Sequence, residues 1–235
     1  MLHTGGVEVR FVDCRPREAY LAAHIPGAAH ADPEEDLTGT EGGGRHPLPA
    51  ADQFAGWASR AGIGDGTLVV GYDDGTGWAA RLWWLLRHLG HDDAAVLRLE
   101  HWRGPLRGGA EAVEPRRFLS SPRSDDTASA EELLARLGEP GLTLVDARAP
   151  ERWRGEVEPI DPVAGRIPGS RNRYYLDEAP LPAELVAAPE LVVYCGSGVT
   201  ACAVLQELVL AGRGDARLYP GSFSEWYALG PVERD

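Results

Sequence analysis

Short continuous apolar runs alternate along this chain with stretches whose apolar residues recur every three or four positions. "VRFVD" at 9–13, "TLVVGY" at 67–72, "LTLVD" at 142–146 and "ELVVY" at 190–194 are the runs. The continuous apolar character of "TLVV" and "ELVV" predicts strands buried on both faces, as in a parallel sheet, and the other two also read as apolar strands. "WAARLWWLL" at 78–86 and "TACAVLQEL" at 200–208 carry helical spacing and open on small residues. Strand and helix patterns therefore take turns, which predicts an α/β fold.

The pattern is written twice. "VRFVDCRPREAYLAAHIPGAAHAD" at 9–32 corresponds to "LTLVDARAPERWRGEVEPIDPVAGRIPGSRNRYYLD" at 142–177. Asp13 pairs with Asp146 and Arg15 with Arg148, each 133 residues apart, whereas Pro26 and Pro168 lie 142 apart. The second copy thus holds nine extra residues between the two marks. "TLVVGYDDGTGWAARLWWLL" likewise matches "ELVVYCGSGVTACAVLQELV". The expected division is an N-terminal domain at 1–107, a linker at 108–128 rich in Gly, Pro, Ser and Asp, and a C-terminal domain at 129–235. Ser129 and Glu132 form a capping box ahead of "AEELLARLG", a helix predicted to end at Gly138. Nothing equivalent precedes the first copy, which looks trimmed.

Composition narrows the partners. A 235-residue chain that is 43% hydrophobic with seven tryptophans can bury a real core. Its net charge of −13 disfavours nucleic acid and anionic membranes. No apolar stretch approaches the ~18 residues of a membrane span, and no signal peptide is apparent. Three cysteines, an odd and low count, point to a reducing cytoplasm rather than a disulfide framework. The seven histidines are scattered, so no metal site is expected.

The chemistry gathers at "CGSGVT", 195–200. Cys195 follows a buried strand, and a helix should begin near Thr200. Gly196 and Gly198 allow tight or positive-φ backbone between them. Such a turn can aim the N–H groups of Gly196, Ser197, Gly198, Val199 and Thr200 inward as an anion-binding nest, with the helix N-terminus behind. A cysteine there suggests a thiolate nucleophile; a buried structural thiol at a strand end is the bland alternative. Cys202 and Cys14 read as packing. The first copy places Asp73 where the second has Cys195, and a carboxylate cannot take up sulfur, so that copy reads as non-catalytic.

The tandem Asp-x-Arg, "HIPGA" at 24–28 with "RIPGS" at 166–170, "CGSGVTA" and "YPGSFSEW" at 219–226 together resemble the two-domain rhodanese sulfurtransferases, of the thiosulfate and 3-mercaptopyruvate type. The resemblance covers nearly the whole chain. It implies two rhodanese-like domains, each a small parallel sheet flanked by helices, of which the C-terminal one is catalytic. It implies an enzyme whose Cys195 takes sulfur from a small-molecule donor as a persulfide and passes it to a thiol or cyanide, with no cofactor. A thioredoxin-like reductant is a further candidate partner.

Within that family an uncharged loop like "CGSGVT" resembles the 3-mercaptopyruvate enzymes, in which a serine and a histidine are proposed to move protons. The resemblance puts Ser197 and His24 in those roles; a local turn bond and a structural hydrogen bond are their plainer readings. Arg152 matches a substrate arginine. A second arginine, nine residues on in the family, is replaced by the region of Asp161. Arg148 and Asp146 are expected as an ion pair under the loop, and Arg154 and Arg166 as solvated surface residues; the alternative for Arg166, which stands where the family has a histidine before Ile-Pro-Gly, is to compensate for the missing arginine. A phosphatase of related architecture needs Cys-x5-Arg, and Ala201 stands at the arginine position. The remaining alternatives are a persulfide carrier or a non-enzymatic binding module serving a partner protein.

Overall fold

The computed structural model describes residues 2–4 and 7–235. The chain forms two compact units, one of residues 1–40 and 48–123, the other of 41–47 and 124–235. The short segment 41–47 thus belongs to the second unit although it is encoded within the first copy.

In the first unit, β2 (Val7–Asp13) pairs in parallel with β3 (Ala29–His30) and with β4 (Thr67–Asp73), and β4 pairs with β5 (Ala94–Arg98). Helices α1 (Arg17–Ala22), α2 (Ala51–Arg60) and α3 (Trp78–His88) flank this sheet. Every residue of α3 from Ala79 to Leu86 is buried, which explains its lack of a polar face. A further strand, β1 (Leu2–Thr4), pairs antiparallel with β2. The apolar pattern did not announce it. A strand that returns after so short a connection can pair only antiparallel.

The second unit repeats the plan with an all-parallel sheet in the order β7-β6-β8-β9. Its strands are β6 (Leu142–Asp146), β7 (Arg171–Asn172), β8 (Glu190–Tyr194) and β9 (Arg217–Leu218). Leu191, Val192, Val193 and Tyr194 of the central strand are all buried. The helices are α4 (Ala130–Ala135), α5 (Pro150–Arg154), α6 (Ala183–Val186), α7 (Ala201–Leu210) and α8 (Ser222–Leu229). Ser129 caps α4 as expected, accepting the Glu132 N–H at 3.1 Å. The helix ends at Ala135 rather than running to Gly138. The Arg136 guanidinium there binds Glu132, Glu139 and Glu190.

The repeat extends to single hydrogen bonds. Tyr72 at the end of β4 accepts the Ile25 N–H at 3.1 Å, and Tyr194 at the end of β8 accepts the Ile167 N–H at 3.1 Å. Arg15 joins Asp13 and the Ala23 carbonyl; Arg148 joins Asp146 and the Gly165 carbonyl. Each pair ties the strand end to the chain just before Ile-Pro-Gly. No helix among the described residues is long and apolar enough to cross a membrane.

Candidate active site

Cys195 leaves β8 at the centre of the sheet's C-terminal edge, where ligands of open α/β sheets bind. It is 2% exposed. The loop that follows is gripped from behind by the start of α8. Cys195 donates its N–H to Ser222 Oγ at 3.1 Å, and its carbonyl accepts the Phe223 N–H at 3.0 Å. The Gly196 carbonyl accepts the Ser224 N–H at 2.8 Å. Ser222 is the one non-glycine among the described residues with positive φ, +53°. Its hydroxyl donates to the Tyr219 carbonyl at 2.9 Å. A strained residue held by two bonds behind the loop is a device for fixing the cysteine's backbone.

Gly198 has φ +77°, and a Cβ there would stand 2.5 Å from the Pro220 carbonyl oxygen. The turn therefore needs glycine at this point. The N–H groups of Gly196, Ser197, Val199 and Thr200 donate to no backbone carbonyl among the described residues. Helix α7 begins directly afterwards at Ala201. The loop thus keeps unused donors beside the thiol, the expected cradle for an anion. Cys202 lies inside α7, fully buried, its thiol donating to the Gly198 carbonyl at 3.3 Å.

A charged layer lies beside this loop. Arg148 is 2% exposed and grips Asp146 through Nε at 3.0 Å and Nη2 at 2.6 Å, with its guanidinium 4.1 Å from the Phe223 ring centre. Burial disfavours this cation, but Asp146 outweighs burial and raises its pKa. Arg152 on α5 binds Glu158 through Nε at 3.1 Å and Nη2 at 2.6 Å. Glu158 also accepts from Arg148 at 3.2 Å and from the N–H groups of Ile160 and Asp161. Burial pushes the Glu158 carboxyl up, yet Arg152 and those N–H groups overcome it and hold it below the usual range. Glu158 and Asp161 lie in the stretch between Arg148 and Pro168 that is nine residues longer than its counterpart in the first copy.

Segment 41–47 brings in two residues that the motif reading missed. His46 Nδ1 lies 2.7 Å from Ser197 Oγ. Arg45 forms an ion pair through Nη1 with Asp161, and its backbone N–H donates to Ser224 Oγ at 3.0 Å. Burial pushes the Asp161 carboxyl up, an effect that Arg45 partly offsets. The only sequence signal was an Arg-His pair after three glycines, in a stretch that otherwise reads as a loop.

His24 lies in the first unit, with no exposed surface, Nδ1 2.8 Å from the Tyr20 carbonyl and Nε2 3.2 Å from Glu111. Glu111 also accepts the Gly27 N–H at 2.9 Å. The second unit repeats this with Arg166, bound to Glu233, which accepts the Gly169 N–H at 2.8 Å. The residue before Ile-Pro-Gly thus anchors the motif in both copies. Arg166 accordingly departs from the expected surface position. It is 5% exposed and stacked 4.2 Å over Trp153, because Glu233 and Asp235 neutralise it there. Arg154 does lie at the surface, beside Glu156.

In the first unit, Asp73 occupies the end of β4 and accepts from the Gly75 N–H at 2.9 Å, the Ala79 N–H at 3.0 Å and Thr76 Oγ at 3.2 Å. Among the described residues no three His, Cys, Asp or Glu side chains assemble as a metal site.

Known proteins agree with this architecture. The rhodanese-like domain family matches residues 1–100 and again 129–229. A probable 3-mercaptopyruvate sulfurtransferase of Pseudomonas aeruginosa is 44% identical, over 88% of this chain and 82% of its own length. A putative thiosulfate sulfurtransferase of Mycobacterium tuberculosis is 37% identical, over 88% and 81%. Among solved structures, the SseA 3-mercaptopyruvate sulfurtransferase of Escherichia coli superposes with a TM-score of 0.76 at 26% identity, covering 92% of this chain and 93% of that one. With its two copies of the domain, the chain belongs to the rhodanese family of sulfurtransferases.

Proposed function

We propose that this enzyme takes sulfur from 3-mercaptopyruvate as a persulfide on Cys195 and hands it to a thiol or to cyanide. The observation that carries the donor choice is the 2.7 Å contact between His46 Nδ1 and Ser197 Oγ, two residues past the nucleophile. In the first half-reaction the Cys195 thiolate attacks the donor sulfur. An S–S bond forms, the C–S bond breaks, and its electron pair departs as the enolate of pyruvate. That enolate must gain a proton. The Ser197 hydroxyl supplies it and is replenished by protonated His46. Thiosulfate makes no such demand, because sulfite leaves as an anion.

In the second half-reaction the acceptor attacks the outer sulfur, and the S–S electron pair returns to Cys195 as thiolate. The unused N–H groups of the loop support the negative charge in both states. Arg152 attracts the donor's carboxylate, while Arg148 and Asp146 hold the floor of the site. A dithiol protein of the thioredoxin type suits the acceptor role, since its second thiol can release the sulfur as sulfide while a disulfide forms. All three cysteines are free thiols, which fits the reducing cytoplasm.

The test is sulfur transfer to cyanide from 3-mercaptopyruvate and from thiosulfate, compared as kcat/KM. A clear preference for 3-mercaptopyruvate is expected. Preference for thiosulfate would remove the proton-supplying role of Ser197 and His46. Negligible rates with both, from folded protein with a titratable thiol, would point to a persulfide carrier or a binding module.

A further inference from the structure

The two arginines that approach the nucleophile come from different segments. A Cβ built on Gly196 would stand 3.0 Å from Arg45 Nη2, and 3.5 and 3.7 Å from Arg152 Nη2 and Nη1. Both guanidinium groups therefore converge on the residue next to Cys195. Each is half engaged. Arg45 uses Nη1 on Asp161, and Arg152 uses Nε and Nη2 on Glu158. Arg45 Nη2 and Arg152 Nη1 have no hydrogen-bond acceptor among the described residues. Beside Gly196, Arg45 thus offers Nη2 and Arg152 offers Nη1, each held in place through its other nitrogens. Two such nitrogens match the two oxygens of one carboxylate.

Asp161 is arranged to hold this geometry. It is 8% exposed, and its Oδ2 is buried without a hydrogen-bond partner, 3.7 Å from Arg152 Nη2. A buried carboxylate with one idle oxygen is costly unless cations stay beside it. The segment that carries Arg45 is itself closely seated. Gly44 has φ +81°, and a Cβ there would lie 2.4 Å from the Gly221 carbonyl oxygen.

We propose that Arg45 recognises the carboxylate of the sulfur donor together with Arg152, and that Asp161 is its positioning residue. The inference rests on the sulfur-transfer reading above and adds to it the second cation for the donor's carboxylate. It also explains how Asp161 can replace an arginine at that point of the chain, since the cation arrives from segment 41–47.

The experiment compares Arg45→Gln with the unaltered enzyme on 3-mercaptopyruvate and on 1-mercapto-2-propanone, which keeps the ketone and thiol but lacks the carboxylate. Loss of a charge-assisted contact should raise KM for 3-mercaptopyruvate about tenfold to a hundredfold. The effect on the carboxylate-free donor should be at least about tenfold smaller. Asp161→Asn should move KM in the same direction and selectively for the same donor. Equal losses on both donors, or no loss on either, would overturn the inference.

Binding of pyruvate, read as protection of Cys195 from iodoacetamide, separates this result from the fate of the sulfur-transfer reading. If the enzyme turns over neither donor yet pyruvate protects the unaltered protein and not Arg45→Gln, the site assignment stands and the reaction does not. If pyruvate protects both proteins equally, Arg45 is not a carboxylate ligand. Gly44→Ala, which leaves Arg45 in place but disturbs the seating of its segment, should also weaken the protection.

Discussion

The loop after β4 and the loop after β8 occupy the same place in the repeat and treat it in opposite ways. In the first, the Asp73 carboxylate accepts from Gly75, Thr76 and Ala79, so the chain's own anion fills the cradle. In the second, Cys195 stands at the corresponding position and the loop N–H groups of Gly196, Ser197, Val199 and Thr200 have no backbone acceptor among the described residues. A turn that collects donors around an anion is common to both copies. What separates a structural turn from a reactive one is whether the anion is a side chain that stays or a ligand that comes and goes. The comparison also shows what a thiol alone does not supply. The second loop has Arg152, Arg45 and His46 around it, whereas among the described residues the Asp73 carboxylate is bonded to Gly75, Thr76 and Ala79.

The hardest way to break the comparison is Cys195→Ser. Sulfur transfer should fall to background while circular dichroism and thermal unfolding stay close to those of the parent. Retained activity would displace the nucleophile from this loop. Next in size is Ser197→Ala. Turnover of 3-mercaptopyruvate should drop about a hundredfold, the ordinary scale of a lost proton donor. Thiosulfate, whose leaving group needs no proton, should suffer far less; equal losses would show that the serine merely shapes the turn. Asp73→Ala tests the other loop and should leave transfer chemistry in place. It removes the acceptor of the buried Ala79 N–H and loosens the half-buried turn at Gly75 and Thr76, so about 1–2 kcal/mol of stability and ~5 °C of melting temperature should be lost. A negligible shift would mean that the first cradle does not need its anion.

The smallest effect lies away from both loops. Arg136 and Arg217 hold the Glu190 carboxyl at about 2, against an ordinary value of 4.5. A carboxyl whose pKa is depressed by folding adds stability above the unfolded value and loses it as pH falls. Melting temperature should therefore decline between about pH 4.5 and 2, and Glu190→Gln should flatten that decline. Parallel curves for the two proteins would mean that this half-buried network contributes nothing measurable, as many ion pairs near the surface do.

Much of this was readable from the chain because it is local. The strand ends, the Asp-x-Arg pairs, the capping Ser129 and the cysteine turn each need only a few neighbouring residues, and each stands where its pattern put it. The misses are long-range. His46 meets Ser197 across 151 positions, and Arg45 meets Asp161 across 116. No periodicity links such partners, and the three glycines before Arg45 carry no hydrophobic signal. His24 drew attention because it precedes Ile-Pro-Gly. Both copies use that position as an anchor, with a glutamate behind it. Arg166 was expected in solvent for a related reason: its partners, Glu233 and Asp235, lie near the far end of the chain.

The placement of segment 41–47 has a consequence for how such a gene can change. Duplicated domains are ordinarily free to be recombined or dropped, because each copy carries what it needs. Here a coding fragment starting at Ser124 would contain Cys195 and its sheet but neither Arg45 nor His46. Seven residues encoded within the first copy belong to its neighbour's compact unit, so removing the first copy removes part of the second unit. A shuffling boundary drawn at Ser124 would separate the second compact unit from seven of its own residues rather than fall between two modules.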